Sequence, residues 1–391
     1  MILILLFLCV LFLYIGLASS KNDVFSPCVI TSTIWMLCII LYLILPHDLP
    51  SLSWSFGLTL GCWIFGMCTS SLFIENCKIK KSEYDDPGLF MRDVYLIISV
   101  LTLPSLFFYA QDVIEAGVSG NWARDLRLAA LGKSTVSKEV YGGIHVIVWQ
   151  VTFLLELYFF KPRKWYRLLI STVCCLGFCF VTMSKWNLLN VFFMTVCVLY
   201  FKKVFSLRHL LIGLGIFLVL CIMLQTVRQK SYGEEDFFVL YLVGSMSAFD
   251  TLEPMSSEHF GENTLRIVYA IVHKLGLSSI EPVDPILPWI QKPLQTNTYT
   301  GMYPFFKDFG IFGVALFSIV LGLVYGWFYK KAKSLKTFSV LAYSYFVTVM
   351  ISQYVGDMFV TNLTGHIKFL CVLVFPFVCT KYGVFKIKKR G

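Results

Sequence analysis

Arg124, Arg127, Arg228 and Arg266, with the strip Asn297, Thr298, Tyr299, Thr300 and Tyr303, suit chemistry on a charged, sugar-bearing ligand. A guanidinium stays charged and offers a planar fork of donors. It can clamp a diphosphate and stabilise charge growing on a leaving group. Arg124 and Arg127 stand three apart, which in a helix puts both on one face. The strip supplies donors and acceptors for sugar hydroxyls, and its tyrosine rings offer faces for stacking on a pyranose. A diphosphate-linked lipid is the ligand that suits both sets.

Asp308 follows the strip, at or just before the start of a long apolar run. There a carboxylate caps free N–H groups and meets the positive end of the helix dipole, so it reads as an orienting residue rather than a general base. Other base candidates are Asp250, Glu253, Glu258, Glu262, His259 and His273, and none stands out. His273 falls one turn beyond Tyr269 in a helical pattern, a setting in which histidine is usually packed, although it remains a candidate ligand for the headgroup. Lys185, alone in the turn SKWN, either reaches a phosphate or marks the membrane interface beside Trp186. The run Glu234-Glu235-Asp236 reads as solvated, and neither a metal nor a cofactor is expected.

The elements that must hold these residues are membrane helices. Hydrophobic residues make up 57% of the chain, charged ones 14%, and the mean hydropathy is +0.74. That balance excludes a water-soluble fold and predicts an all-α polytopic membrane protein, a single integral domain over 1–391. Apolar runs able to cross a hydrocarbon core recur at roughly 1–20, 28–45, 54–74, 93–110, 143–160, 168–183, 187–201, 209–225, 309–329, 338–353 and 367–380, about 11 spans (10–12). The first reads as a retained helix rather than a signal peptide.

Loops 21–27, 75–92, 161–167, 202–208, 330–337 and 381–391 hold 21 of the 33 basic residues, which places them in the cytoplasm. The basic balance is therefore topological and gives no reason to invoke nucleic acid. An odd span count puts the N-terminus outside. Two outer loops remain, 111–142 and the long 226–308, and neither carries any of the 13 cysteines. The second loop contains FFVLYLVGSMSAF (237–249) and LRIVYAIVHKLGL (265–277), which predict amphipathic or re-entrant helices. PVDPILPWIQKP (282–293), with four prolines, predicts an extended stiff crossing that leads into the strip. The spans are poor in ionisable residues, which disfavours an ion-coupled pump. GxxxxGK[ST], GxSxG and HExxH are absent, so ATPase, serine-hydrolase and zincin chemistry have no residues to stand on.

The run Asn297-Thr298-Tyr299-Thr300, Tyr303-Pro304, Lys307-Asp308-Phe309-Gly310 and Gly313, preceded by VRQK, GSMSAFD and FGENTLRIVYAIVHKLG, resembles the Wzy-type oligosaccharide repeat-unit polymerases of bacteria. The resemblance covers the span plan and is most specific over 228–326. It implies a GT-C-like glycosyltransferase of the inner membrane. Such an enzyme moves a growing glycan from undecaprenyl diphosphate onto a fresh lipid-linked repeat unit at the periplasmic face, with a chain-length regulator and a flippase as partners. Some members carry Arg followed sixteen residues later by Gly in two outer loops, and Arg127 to Gly143 and Arg228 to Gly244 have that offset. On this reading Arg228 and Arg266 bind the donor diphosphate, while Arg124 and Arg127 hold a headgroup from the facing loop. A ligase that transfers the finished glycan would use the same arginines. A lipid-linked oligosaccharide flippase would instead require charges lining a central cavity.

Overall fold

The computed structural model describes residues 1–78, 85–117, 119–130, 143–227, 239 and 243–383. Among them the chain is helical, and the only extended pairing is the isolated bridge between Ile290 and Thr296. Among the described residues seven helical segments are long and apolar enough to cross a membrane: Ile2–Ser20 (α1), Pro27–Ile44 (α2), Trp54–Asn76 (α3), Leu89–Ala116, Pro162–Val181, Tyr303–Ala332 and Leu363–Lys381. This is a multi-pass membrane protein. The fourth segment is two helices, α4 (Leu89–Thr102) and α5 (Pro104–Ala116), divided where Pro104 cannot donate to the preceding turn.

The chain forms two compact units. One holds residues 1–80, 232–330 and 349–366; the other holds 81–231, 331–348 and 367–391.

In the first unit α3 packs on α13 (Tyr303–Ala332) through a seam of small residues. A Cβ at Gly66 would strike Ser318 Oγ, one at Gly322 would meet the Met67 carbonyl at 2.6 Å, and one at Gly326 would lie 3.0 Å from Ser71 Cα. With Ser318, Gly322 and Gly326 four apart, the two backbones approach closely, as apolar helices do where lipid gives no hydrophobic drive. Gly310 breaks α13 with φ 62° and ψ −153°, a conformation open to glycine, so a short helix over 303–309 leads into the long one.

Two short helices precede α13 in the same unit. They are α11 (Gly244–Asp250) and α12 (Arg266–Lys274), and they match the later part of the first amphipathic stretch and the second one. Residues 237, 238 and 240–242 of the first stretch lie outside the described residues. The proline-rich crossing runs irregularly to a narrow reversal, in which Ile290 and Thr296 exchange backbone bonds at 2.8 and 3.1 Å.

The second unit contains α4, α5, α6 (Trp122–Ala130), α7 (Ile144–Tyr158), α8 (Trp165–Val181), α9 (Lys185–Phe201) and α10 (Leu207–Val227). It also holds most of α14 (Thr337–Ile351) and of α15 (Leu363–Lys381). Helices α4 and α8 begin three to four residues earlier than the hydropathy pattern suggests. Arg92 and Arg167 are therefore helical and pair with Glu156, and Arg167 also pairs with Asp93.

Candidate functional site

The strip is fastened to a polar hub inside the first unit. Gln353 Oε1 accepts from Trp35 Nε1 at 3.0 Å and Trp63 Nε1 at 2.7 Å, while its Nε2 donates to Thr31 Oγ1 at 3.3 Å and the Met350 carbonyl at 3.0 Å. Every polar atom of that buried amide is thus satisfied, which fixes the turn Ser352–Tyr354. The Gln353 carbonyl then accepts Gly301 N–H at 2.7 Å. A Cβ on Gly301 would lie 3.1 Å from that carbonyl, so any larger residue would force one of the two backbones to give by a few tenths of an ångström. Ser245 of α11 donates to the Tyr354 carbonyl, and Asp250 accepts from Ser53, the N-cap of α3.

Asp308 organises the other side. Its Oδ1 accepts Ser257 Oγ at 2.6 Å and Asn263 Nδ2 at 2.8 Å, and its Oδ2 accepts Thr264 N–H at 2.7 Å. Thr264 Oγ1 donates to the Pro304 carbonyl at 3.3 Å. The start of α12 is thereby tied to the first turns of α13. The cap expected of Asp308 is not what the structure shows, since Asp308 lies five residues inside α13. Its hydrogen bonds go to the 257–264 loop rather than to the N–H groups of its own helix.

Arg266 opens α12 two residues after Thr264. Its Nε donates to the Val283 carbonyl at 2.7 Å and Nη1 to the Thr361 carbonyl at 3.1 Å. Thr361 is held in turn by Asp357 Oδ2, through its N–H at 2.7 Å and its hydroxyl at 2.9 Å. Partial burial pulls the Arg266 guanidinium below its usual range and Asp284 opposes this, but an arginine stays charged at any physiological pH. Of five guanidinium N–H groups, two are committed to carbonyls, and described residues leave the rest for a ligand.

Within the strip the residues divide. Asn297 and Thr298 are half-buried; no described residue bonds the Asn297 amide, while Thr298 shares a 2.8 Å hydroxyl contact with Thr296. Tyr299 and Tyr303 do not present ring faces. They are 1% and 5% exposed, pack at 5.0 Å centroid separation with Ala248, Leu252, Leu287 and Ile290, and Tyr299 donates its hydroxyl to the Pro288 carbonyl at 3.0 Å. The stacking expected of these rings is met inside the protein, because they hold α11 and the proline-rich crossing against α13. Thr300 is wholly buried, and its Oγ1 has no partner among the described residues. His273 lies in the last turn of α12, half-buried, its Nδ1 shielded and likewise without a described partner.

No family model matches the chain, and no curated protein or solved structure does. The site has to be read from its own geometry.

The remaining candidates belong to the second unit. Helix α6 forms where Arg124 and Arg127 require it, started by Asn121, whose Oδ1 accepts from Ala123 and Arg124 N–H at 3.0 and 2.9 Å. Arg124 is exposed and Arg127 half-buried. Lys185 is the first residue of α9, following its N-cap Ser184. Arg228 and the triplet Glu234-Glu235-Asp236 lie outside the described residues. The structure thus brings Arg266, Asp308 and the strip together in one unit.

Sequence reasoning missed Gln353, Asn263 and the support that Asp357 gives to Thr361. A lone glutamine in an apolar run is the one signal that pointed to the hub, since buried polar groups among membrane helices need partners.

Proposed function

We propose that this chain is a GT-C-like oligosaccharide repeat-unit polymerase of the bacterial inner membrane, joining undecaprenyl-diphosphate-linked units at the periplasmic face. The observation that carries this reading is the Asp308-anchored start of α12, which holds a partly committed Arg266 two residues beyond Thr264, in the same unit as the half-buried amide of Asn297. A fixed guanidinium with N–H groups to spare suits the charge that grows on undecaprenyl diphosphate as it departs, and an amide with open valences suits a sugar hydroxyl.

Eleven crossings on this reading would comprise the seven long segments, the shorter apolar helices Ile144–Tyr158, Lys185–Phe201 and Leu211–Leu224, and Thr337–Ile351. An odd number leaves the basic C-terminal tail in the cytoplasm and loop 226–308 outside. On this reading Arg124, Arg127, Arg228 and Lys185 are further headgroup ligands, as are His273 and Thr298 in the unit that holds Arg266.

Glycosyl transfer then needs no metal. The acceptor hydroxyl attacks the anomeric carbon of the donor and gives up its proton to water, the bond to the diphosphate oxygen breaks, and the diphosphate leaves with the electron pair against the arginines. The test is reconstitution in nanodiscs with a synthetic undecaprenyl-diphosphate-linked repeat unit, following undecaprenyl diphosphate release and glycan length by mass spectrometry. Dimer and longer products released with one diphosphate per joined unit support the reading. Diphosphate release with free single units, or none at all, opposes it.

A further inference from the structure

The second unit carries an ion cluster that plays no part in the proposed transfer. Glu156, with 3% of its side chain exposed, takes two guanidinium forks: Arg92 through Nε at 3.2 Å and Nη2 at 2.7 Å, and Arg167 through Nε at 2.8 Å and Nη2 at 2.9 Å. Arg167 Nη1 also donates to Asp93, and the Arg92 guanidinium lies 4.7 Å from the centre of the Phe159 ring. A cavity of about 70 Å³ opens beside these groups and is lined further by Lys161 and Lys164. That space exceeds what one water needs, about 10–15 Å³. Four cations face two carboxylates there, which leaves two positive charges uncompensated.

The surroundings give the depth of this cavity in a bilayer. It lies where α4 and α8 begin and α7 ends, in the turn Pro162–Lys164. Phe160, Trp165 and Tyr166 are 43%, 58% and 46% exposed beside the basic residues. Aromatic side chains interleaved with lysine and arginine at the ends of apolar helices mark the headgroup level, and the basic excess marks the cytoplasmic leaflet.

We propose that this cavity binds the phosphate of an anionic phospholipid from the cytoplasmic leaflet. Lys161 and Lys164 supply the mobile charges and Arg92 a fixed one. Glu156 holds both arginines in place so that they do not collapse onto the anion. Basic pockets between membrane helices on this side are suited to such headgroups, and the exposed aromatic band gives the acyl chains a surface that a free phosphate would not use. The bound lipid ties α4, α7 and α8 together at one end. The proposal does not depend on the polymerase reading.

The test uses the purified full chain in phosphatidylcholine nanodiscs doped with fluorescent phosphatidylglycerol, and compares wild type with Lys161→Gln/Lys164→Gln. Both lysines are exposed, so the fold is expected to survive. A control, Lys21→Gln/Lys78→Gln, removes the same charge from exposed positions in loops assigned to the same side. The site predicts affinity roughly 30-fold weaker in the first variant and unchanged in the control, with millimolar inorganic phosphate failing to compete. Equal loss in both variants, or no preference for phosphatidylglycerol over phosphatidylcholine, overturns it. Full competition by inorganic phosphate overturns the lipid as the source of the anion.

Discussion

Asp308 Oδ2 accepts the backbone N–H of Thr264 at 2.7 Å, a contact that spans 44 residues of sequence and fixes where α12 begins. The same carboxylate takes Ser257 and Asn263, so one side chain determines the shape of the loop that carries Arg266. Asp308→Ala strands several polar groups in a partly buried place, at about 1–3 kcal/mol for each one left unsatisfied. The expected outcome is faster proteolysis within 253–265 in the purified protein. Asp308→Asn keeps one acceptor and should fall between. Equal resistance in all three would show that the loop is held by something else.

The Gln353 hub should be costly to break. Gln353→Leu leaves the indole N–H groups of Trp35 and Trp63 buried without acceptors, and each such group costs about 1–3 kcal/mol. Thermal unfolding followed by tryptophan fluorescence should show a large drop in midpoint. Trp63→Phe, which removes one donor and leaves the amide with its other partners, should cost less.

Gly301→Ala tests the close approach of the strip. The added methyl would lie 3.1 Å from the Gln353 carbonyl and 3.3 Å from its Cα, both backbone atoms with little freedom to move. Overpacking of this kind costs about 1–3 kcal/mol. Because the strip itself must shift, ligand affinity should weaken along with stability. A variant as stable as wild type would mean that the strip is looser than its hydrogen bond to Gln353 implies.

Asp357 gives a pH signature. Burial raises its pKa, while the bonds from Thr361, Val360 and Phe359 work the other way without cancelling the rise. The native protein therefore binds this proton more tightly than the unfolded chain does. The contribution is complete below the unfolded value near 3.9, and it is lost as pH rises through the higher folded value. Between those two values, the melting temperature of wild type should fall with rising pH more steeply than that of Asp357→Asn. Parallel curves would remove Asp357 from the account.

Much of the fold is legible in the sequence, because apolar length and the distribution of lysine and arginine act locally. Helix α12 is legible for the same reason: Leu265, Val268, Tyr269, Val272 and Leu275 repeat at helical spacing. Helix α6 likewise forms where Arg124 and Arg127 fall three apart. The site is less legible. Asp308 shows itself as a helix-start carboxylate, but its partners lie 44 to 51 residues away, and no local pattern marks them. Tyr299 and Tyr303 illustrate a second limit. A tyrosine that stacks on a sugar and one that fills a core look alike in sequence, and only the Pro288 carbonyl and the Ala248 contact separate them. The early starts of α4 and α8 have a third cause: Arg92 and Arg167 lower the hydropathy of turns that stay helical because Glu156 pairs with both arginines.

The most direct measurement is the length profile of surface glycan from cells lacking this chain, complemented at matched expression with wild type, Arg266→Lys and Asn297→Ala. Lysine keeps the charge but loses the planar fork, so it should not rescue. The loss of one such donor costs on the order of 2.7–4 kcal/mol of barrier. The account predicts single repeat units in the deletion and with Arg266→Lys, long chains with wild type, and shortened chains with Asn297→Ala. Long chains persisting in the deletion, or a glycan that vanishes even as a single unit, would contradict it.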